Sequence, residues 1–163
     1  MVRRAFFSFH YANDIWRVNQ VRNSWITYSD RKTAGYIDSA EFEKIKKQGR
    51  KAVENWIDFQ LINTSVTVVL IGSETSSREY VRYEIQESYK RGNGIVGIYI
   101  HNLKNNDGIT SLKGDLDFGK IGTDKFGRSL FFRDVARTYD YVMEGGYKNI
   151  GSWIEEAARN VGR

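Results

Sequence analysis

The pentapeptide "YVRYE" (Tyr80 to Glu84) puts a carboxylate one helical turn after an aromatic ring. It follows a polar turn, "GSETSSR" (72–78), and an apolar run, "SVTVVLIG" (65–72). Val81, Ile85 and Tyr89 recur at i, i+4 and i+8, so the segment "EYVRYEIQESYKR" predicts a helix with one apolar face. Glu84 sits between Val81 and Ile85, near the boundary of that face. A carboxylate there is either one more solvated charge or the working group of a site, and composition alone favours the solvated charge. Its neighbours have plainer tasks. Ser76 and Glu79 have the S-x-x-E spacing of a capping box, and Glu87 falls late on the helix, toward solvent.

The residue types limit what else could act. The chain has no cysteine, which removes thiol nucleophiles, disulfides and Cys-ligated zinc, and its two histidines, His10 and His101, are too few for a His-rich metal centre. The segment "NNDGITSLKGDLD" (105–117) is not a calcium loop: with Gly108 as the turn glycine, ligand positions one and twelve would be Leu103 and Gly114. Neither a Rossmann cofactor fingerprint nor a P-loop is indicated. A phosphoacceptor receiver needs acidic residues at the end of the first strand, where this chain has "FFSFHY". No GxSxG nucleophile elbow is present. These exclusions leave the reading of Glu84 open between a solvated carboxylate and the working group of a site.

Elements must bring such a group to a cavity. Apolar runs at "RAFFSFH" (4–10), "SVTVVLIG" (65–72) and "GIVGIYIH" (94–101) read as parallel strands buried on both faces. A short candidate, "AGYID" (34–38), and a weak one, "SLFFRDV" (129–135), add to them. Helical patterns alternate with these strands. "NDIWRVNQVRNSWITY" carries Ile15, Val18, Arg22 and Trp25 along one side, with Asn13 or Asp14 as N-cap. "GRKAVENWIDFQLI" carries Val53, Trp56, Ile57 and Leu61, and "KNIGSWIEEAARNV" carries Trp153, Ile154, Ala157 and Val161. This alternation predicts a doubly wound α/β sheet of about five mainly parallel strands, and 163 residues suit one domain spanning 1–163. In such sheets ligands bind beyond the carboxyl ends of the strands. Those ends carry "SFHYAND" (8–14), "GSETSS" (72–77) and "HN" (101–102), so both histidines fall on one edge. A satisfied structural role remains the plainer reading of each.

Net charge is +5 and the pI about 9.4, which suits an anionic partner such as a nucleotide, a nucleic acid or an acidic protein. The densest basic stretch, "KIKKQGRK" (44–51), lacks interleaved aromatics and reads as a solvated helix face, so nucleic acid is not the expected partner. No signal peptide opens the chain and its apolar runs are too short to span a bilayer, so a cytoplasmic location without membrane contact is expected. Residues 102–128 form a long polar, glycine-rich segment without periodicity, either functional and mobile or a variable insertion.

Taken in order, "RAFFSFHY", "RVNQVRNSW", "NTSVTVVLIGSETSSREYVRYEI" and "RGNGIVGIYIHNLK" resemble the TIR-like domain family, and within it the ThsB proteins of Thoeris anti-phage defence. The resemblance covers most of the first 104 residues. It implies a flavodoxin-like sheet, cleavage of NAD⁺ as substrate with no cofactor, and an essential Glu in an aromatic-x-x-x-Glu pattern after the central strand. Here that pattern falls on Tyr80 and Glu84, with Tyr80 departing from the usual Trp. Breaking the nicotinamide–ribose bond develops oxocarbenium character that a carboxylate stabilises, while nicotinamide leaves neutral. The implied product is a cyclic or conjugated ADP-ribose that activates a separate effector, with self-association on activation. By position at strand ends or helix starts, His10, Tyr11, Ser73, Ser77 and Tyr80 are candidate substrate-binding residues. Asn19 joins them from the part of the first helix that resembles the family. Helix N-termini near Asn13 and Ser76 would offer amides to the pyrophosphate, and the 102–128 segment and the loop after the first strand could exclude water. Two other functions stay open: a non-enzymatic TIR interaction module, which needs no Glu at position 84, and a nucleoside deoxyribosyltransferase-like enzyme, which demands a second acidic partner.

Overall fold

The computed structural model describes residues 2–35 and 39–163. Five strands pair in parallel: β1 (Arg3–Ser8), β2 (Arg31–Ala34), β3 (Val66–Ile71), β4 (Gly94–Tyr99) and β7 (Ala136–Asp140), in the spatial order β2-β1-β3-β4-β7. A hairpin of β5 (Lys120–Thr123) and β6 (Ser129–Phe131) stands apart from that sheet. The helices are α1 (Tyr11–Trp25), α2 (Ser39–Lys47), α3 (Arg50–Leu61), α4 (Glu79–Lys90), the single turn α5 (Phe132–Val135) and α6 (Gly146–Asn160). This is the flavodoxin-like α/β order, in which the chain runs outward in opposite directions from β1 and β3 and leaves a crevice at their carboxyl ends.

The central strands hold their place because both faces are apolar. Every residue of β3 is buried, and its side chains alternate between two helical layers. Val66, Val68 and Leu70 meet Val18, Val21 and Trp25 of α1 and Ile150 and Ile154 of α6. Val69 and Ile71 face Val81 and Ile85 of α4. On the β2 side, Phe6 and Ala34 cover Val53, Ile57 and Leu61 of α3. Each fully buried Val, Ile or Phe contributes about 1.5–3 kcal/mol. Register does the positioning: β3 and β4 pair from Val66↔Gly94 to Ile71↔Tyr99, so their carboxyl ends lie level. Gly94 is required there, because a Cβ would strike the Ala157 carbonyl of α6.

Several expectations change. The second strand begins three residues earlier than expected, and Tyr36 to Asp38 lie outside the described residues. The segment 129–135 supplies no strand to the main sheet. It ends the hairpin and turns through α5, where Asp134 accepts the Phe131 amide. The fifth strand is "ARTYD", whose half-exposed edge position lets it carry polar residues without an apolar run. The string Gly92–Gly97 spells G-x-G-x-x-G, but it leads into β4 rather than from a strand into a helix, so it is no dinucleotide fingerprint. Val161, placed on the buried side of the last helix by its spacing, is exposed just beyond α6.

The 102–128 segment is anchored to its surroundings. Arg17 donates to the carbonyls of Leu103 (2.8 Å) and Ile109 (2.9 Å), and Gln20 donates to that of Lys104 (2.8 Å). Phe118 and Ile121 are buried against α4. Among the described residues no helix is long and apolar enough to cross a membrane.

Candidate active site

A cleft of about 370 Å³ opens where the chain leaves β1 and β3. Its floor is Glu84. One wall is the β1–α1 turn with His10 and Tyr11, a second is the start of α4 from Ser77 to Val81, and the third is α2 with Phe42 and Lys46. The rings of Tyr11 and Phe42 stack at 5.7 Å with 30° between planes, and Phe42 meets Trp56 edge-on at 6.2 Å.

Glu84 is 8 % exposed. Its place follows from the helix period: Val81 and Ile85 dock on β3, and this rotation aims residue 84 along the sheet toward the end of β1. Its Oε2 is buried and makes no hydrogen bond to a described residue. Burial pushes the carboxyl up to about 8, opposed only by the Ser8 hydroxyl. His10 Nδ1 is likewise buried without a hydrogen-bond partner among the described residues, and the buried Ser8 hydroxyl has no partner besides its approach to the Glu84 carboxyl. Burial lowers the His10 pKa, as does the Arg78 charge, against a smaller opposing pull from Glu74 and with a still smaller push from Lys46. The cleft thus presents several unspent polar atoms at the base of an aromatic-walled cavity.

Both flanking helices begin at this cleft, though not where the caps were expected. α1 starts at Tyr11 with His10 as N-cap, so Asn13 and Asp14 lie in its first turn. The capping box of Ser76 and Glu79 does not form. A 3-10 turn at Thr75–Ser77, tied by the Gly72 amide to Thr75 Oγ1 at 2.8 Å, delays α4 until Glu79. Glu79 instead pairs with Arg50 of α3. Neither helix has a side-chain cap, so first-turn amides at both N-termini are left to other partners.

Of the expected site residues, Glu84, His10, Tyr11, Ser77 and Tyr80 share the cleft. Ser73 lies outside its lining, accepting a long hydrogen bond (3.5 Å) from Asn13, and Asn19 lies further along α1, also outside. His101 is elsewhere too, with Nε2 3.8 Å from Asp140 and its ring edge-on to Tyr99. The 102–128 segment contributes nothing to the lining, which among the described residues comes from the β1–α1 turn, α2 and the start of α4. Sequence reasoning missed Phe42, Lys46, Arg78 and Ser8. Phe42 and Lys46 stand at i and i+4, a usable signal that the surrounding charges concealed.

A second buried carboxylate lies close by. Asp14 is 1 % exposed and packs on Gly72, where a Cβ would collide with its carboxyl group. Arg17 Nη1 is 3.5 Å away. Burial lifts Asp14 to about 6 despite the Arg17 charge.

Residues 6–105 match the family described as Thoeris protein ThsB, TIR-like domain. The chain belongs to the ThsB TIR-like family. A curated relative from Bacillus cereus (strain MSX-D12), named "Putative cyclic ADP-D-ribose synthase ThsB1", is 36% identical over an alignment of 191 residues that covers 94% of this chain and 100% of the relative. The family match runs from the second half of β1 through β4 and takes in every residue lining the cleft, while β7 completes the sheet beyond it.

Proposed function

We propose that this chain cleaves NAD⁺ in anti-phage defence and releases a cyclic or conjugated ADP-ribose that activates a separate effector. The observation that carries this reading is Glu84: a buried carboxylate with an unpartnered oxygen, on the floor of the switch-point cleft of a ThsB-family chain. The name of the Bacillus cereus relative supports the product class.

NAD⁺ brings a cationic nicotinamide, which supplies the counter-charge that Glu84 lacks in the free protein and favours its ionised form. The bond from ribose C1′ to the nicotinamide nitrogen breaks, and its electron pair leaves with neutral nicotinamide. Positive charge then spreads over C1′ and the ring oxygen, where a preorganised carboxylate stabilises it. In this reading His10 holds ribose oxygens, Tyr80 and Tyr11 pack the rings, and the buried Ser8 hydroxyl acts through Glu84. A nucleophile other than water then bonds to C1′: a group on the adenosine half, giving a cyclic product, or an added molecule, giving a conjugate. A proton lost from that nucleophile passes to solvent. No cofactor is required, since substrate and carboxylate supply the chemistry. Assembly into a self-associated form accompanies activation, so specific activity should rise with protein concentration or with an infection-derived activator.

The test is incubation of concentrated protein with NAD⁺, mass spectrometry of the products, and addition of the protein-free filtrate to the effector. An ADP-ribose derivative other than the linear form, with activation by filtrate alone, is expected. Linear ADP-ribose alone would reduce the protein to an NAD⁺ consumer. No turnover, with activation only when the protein itself is present, would make it an interaction module. The deoxyribosyltransferase-like alternative gains little support: among the described residues the cleft's carboxylates besides Glu84 are Glu43 and Glu79, which pair with Lys46 and Arg50 at the rim, and Asp14 is sealed away from the lining.

A further inference from the structure

The basic balance of this chain has one placement that the charge run by itself does not explain. Lys44 and Lys47 of α2 point to solvent, but Lys46, one turn after Phe42, turns into the cleft. Across from it Arg78, the N-cap of α4, lines the same cavity. The two cations come from different elements and lie near enough to His10 to disfavour its protonation. Lys46 has an exposed carboxylate, Glu43 at 3.5 Å, and lies 5.6 Å from the centre of the Phe42 ring, while Arg78 makes no hydrogen bond or ion pair through its side chain among the described residues. Between them lie the Tyr11–Phe42 stack and the uncapped first turn of α4. Glu84, the deepest charged group, is opposite in sign and set apart on the floor.

We propose that Lys46 and Arg78 grip the pyrophosphate of a dinucleotide while its purine packs against Phe42. The proposal rests on the reading of the cleft as an NAD⁺ site and adds which way the substrate lies: the adenosine diphosphate half at the α2 rim, the nicotinamide riboside half at Glu84 and His10. Charge dictates this polarity. A diphosphate pushed against the Glu84 floor would meet a carboxylate with no cation beside it, whereas at the rim it meets Lys46, Arg78 and the positive end of α4, where the carboxylates of Glu43 and Glu79 are already paired with Lys46 and Arg50. Recognition also changes character: the pyrophosphate is held by side chains from α2 and α4, rather than by helix amides near Asn13 and Ser76 as the sequence suggests.

The experiment is calorimetric titration of the full chain with ADP, which carries the purine and diphosphate but no nicotinamide half, set beside NAD⁺ kinetics. ADP should bind the wild-type protein. Lys46→Ala and Arg78→Ala should each weaken it by about tenfold, the usual worth of a hydrogen bond to a charged group, and Lys46→Arg should recover most of the loss. Phe42→Ala should weaken it several-fold, and added salt should narrow the gap between wild type and the charge variants. In NAD⁺ turnover the loss should fall on KM rather than kcat. Circular dichroism establishes folding, and all three positions are at least partly exposed. ADP that fails to bind the wild type, or that binds wild type and the Lys46→Ala/Arg78→Ala double variant alike, overturns the assignment. The two readings separate cleanly. If NAD⁺ is not cleaved but ADP binding depends on Lys46 and Arg78, the grip stands and the enzymatic reading falls. If Glu84→Gln abolishes turnover while ADP ignores the rim cations, the reverse holds.

Discussion

Glu84 and Asp14 are carboxylates buried at the same end of the same sheet, and their surroundings differ in kind. Asp14 is closed over by Gly72 and Thr75 and has a cation, Arg17, at 3.5 Å. That same guanidinium is spent on the carbonyls of Leu103 and Ile109, so the pair ties α1 to the segment that follows β4. Glu84 has no cation beside it and opens onto a cavity. One carboxylate has its burial partly offset by a neighbouring cation, although both of its oxygens lack a hydrogen-bond partner among the described residues. The other is left uncompensated, which is costly unless a ligand supplies the missing charge. The difference teaches that burial alone does not mark a site. Burial without a partner, at the edge of a cavity, is the more telling combination.

The largest expected effect tests the compensated side. Asp14→Ala strands Arg17, which cannot shed its proton, and should cost about 3–5 kcal/mol of folding stability in chemical denaturation. A loss below about 1 kcal/mol, the worth of an exposed pair, would show that Asp14 and Arg17 are not coupled.

Glu84→Gln should behave in the contrary way. It resembles the protonated form that the free fold already prefers, so stability near neutral pH should hold or rise. NAD⁺ cleavage should drop by roughly a hundredfold or more, the usual worth (~3 kcal/mol) of one preorganised electrostatic group. A stable variant with near wild-type turnover would remove Glu84 from the chemistry.

Titration sharpens the contrast further. Both carboxyls are raised above their ordinary values, so each favours the folded state when protonated, and stability falls as pH rises from the unfolded to the folded pKa. For Asp14 that window closes near pH 6, for Glu84 near pH 8. Of the two, only Glu84 therefore contributes a slope between pH 6 and 8, and Glu84→Gln should flatten thermal stability across that range. If the ionised carboxylate does the work, kcat/KM should climb through the same interval and level off above it. A profile flat from pH 6 to 9 would contradict this.

The smallest effect concerns the one group that opposes the Glu84 shift. Ser8→Ala removes a hydroxyl that favours the ionised form, so the kcat/KM midpoint should move to higher pH, with a loss of a few-fold at pH 7. A midpoint that stays in place would mean the hydroxyl does not touch the carboxylate in solution.

Local sequence was enough for much of this molecule. Period-two and period-3.6 apolar patterns are dictated by which face a strand or helix must bury, so β1, β3, β4 and the docking faces of α3 and α4 were legible, as was the position of Glu84 on α4. Edge strand β7 was not, because a strand half in water needs no apolar run, and the capping box at Ser76 lost to a 3-10 turn that satisfies the Gly72 amide first. The decisive properties of the two carboxylates belong to the tertiary structure alone. Nothing in the spelling of "YVRYE" or "YANDIWR" says that one acid will face a cavity and the other a buried guanidinium. That depends on the order in which strands assemble, since the β1–β3 switch point brings the β1 end, α2 and α4 around Glu84 while burying Asp14 behind Gly72. A carboxylate's charge is written in its residue type. Its pKa and its work are set by the dielectric and partners around it, which only long-range packing supplies.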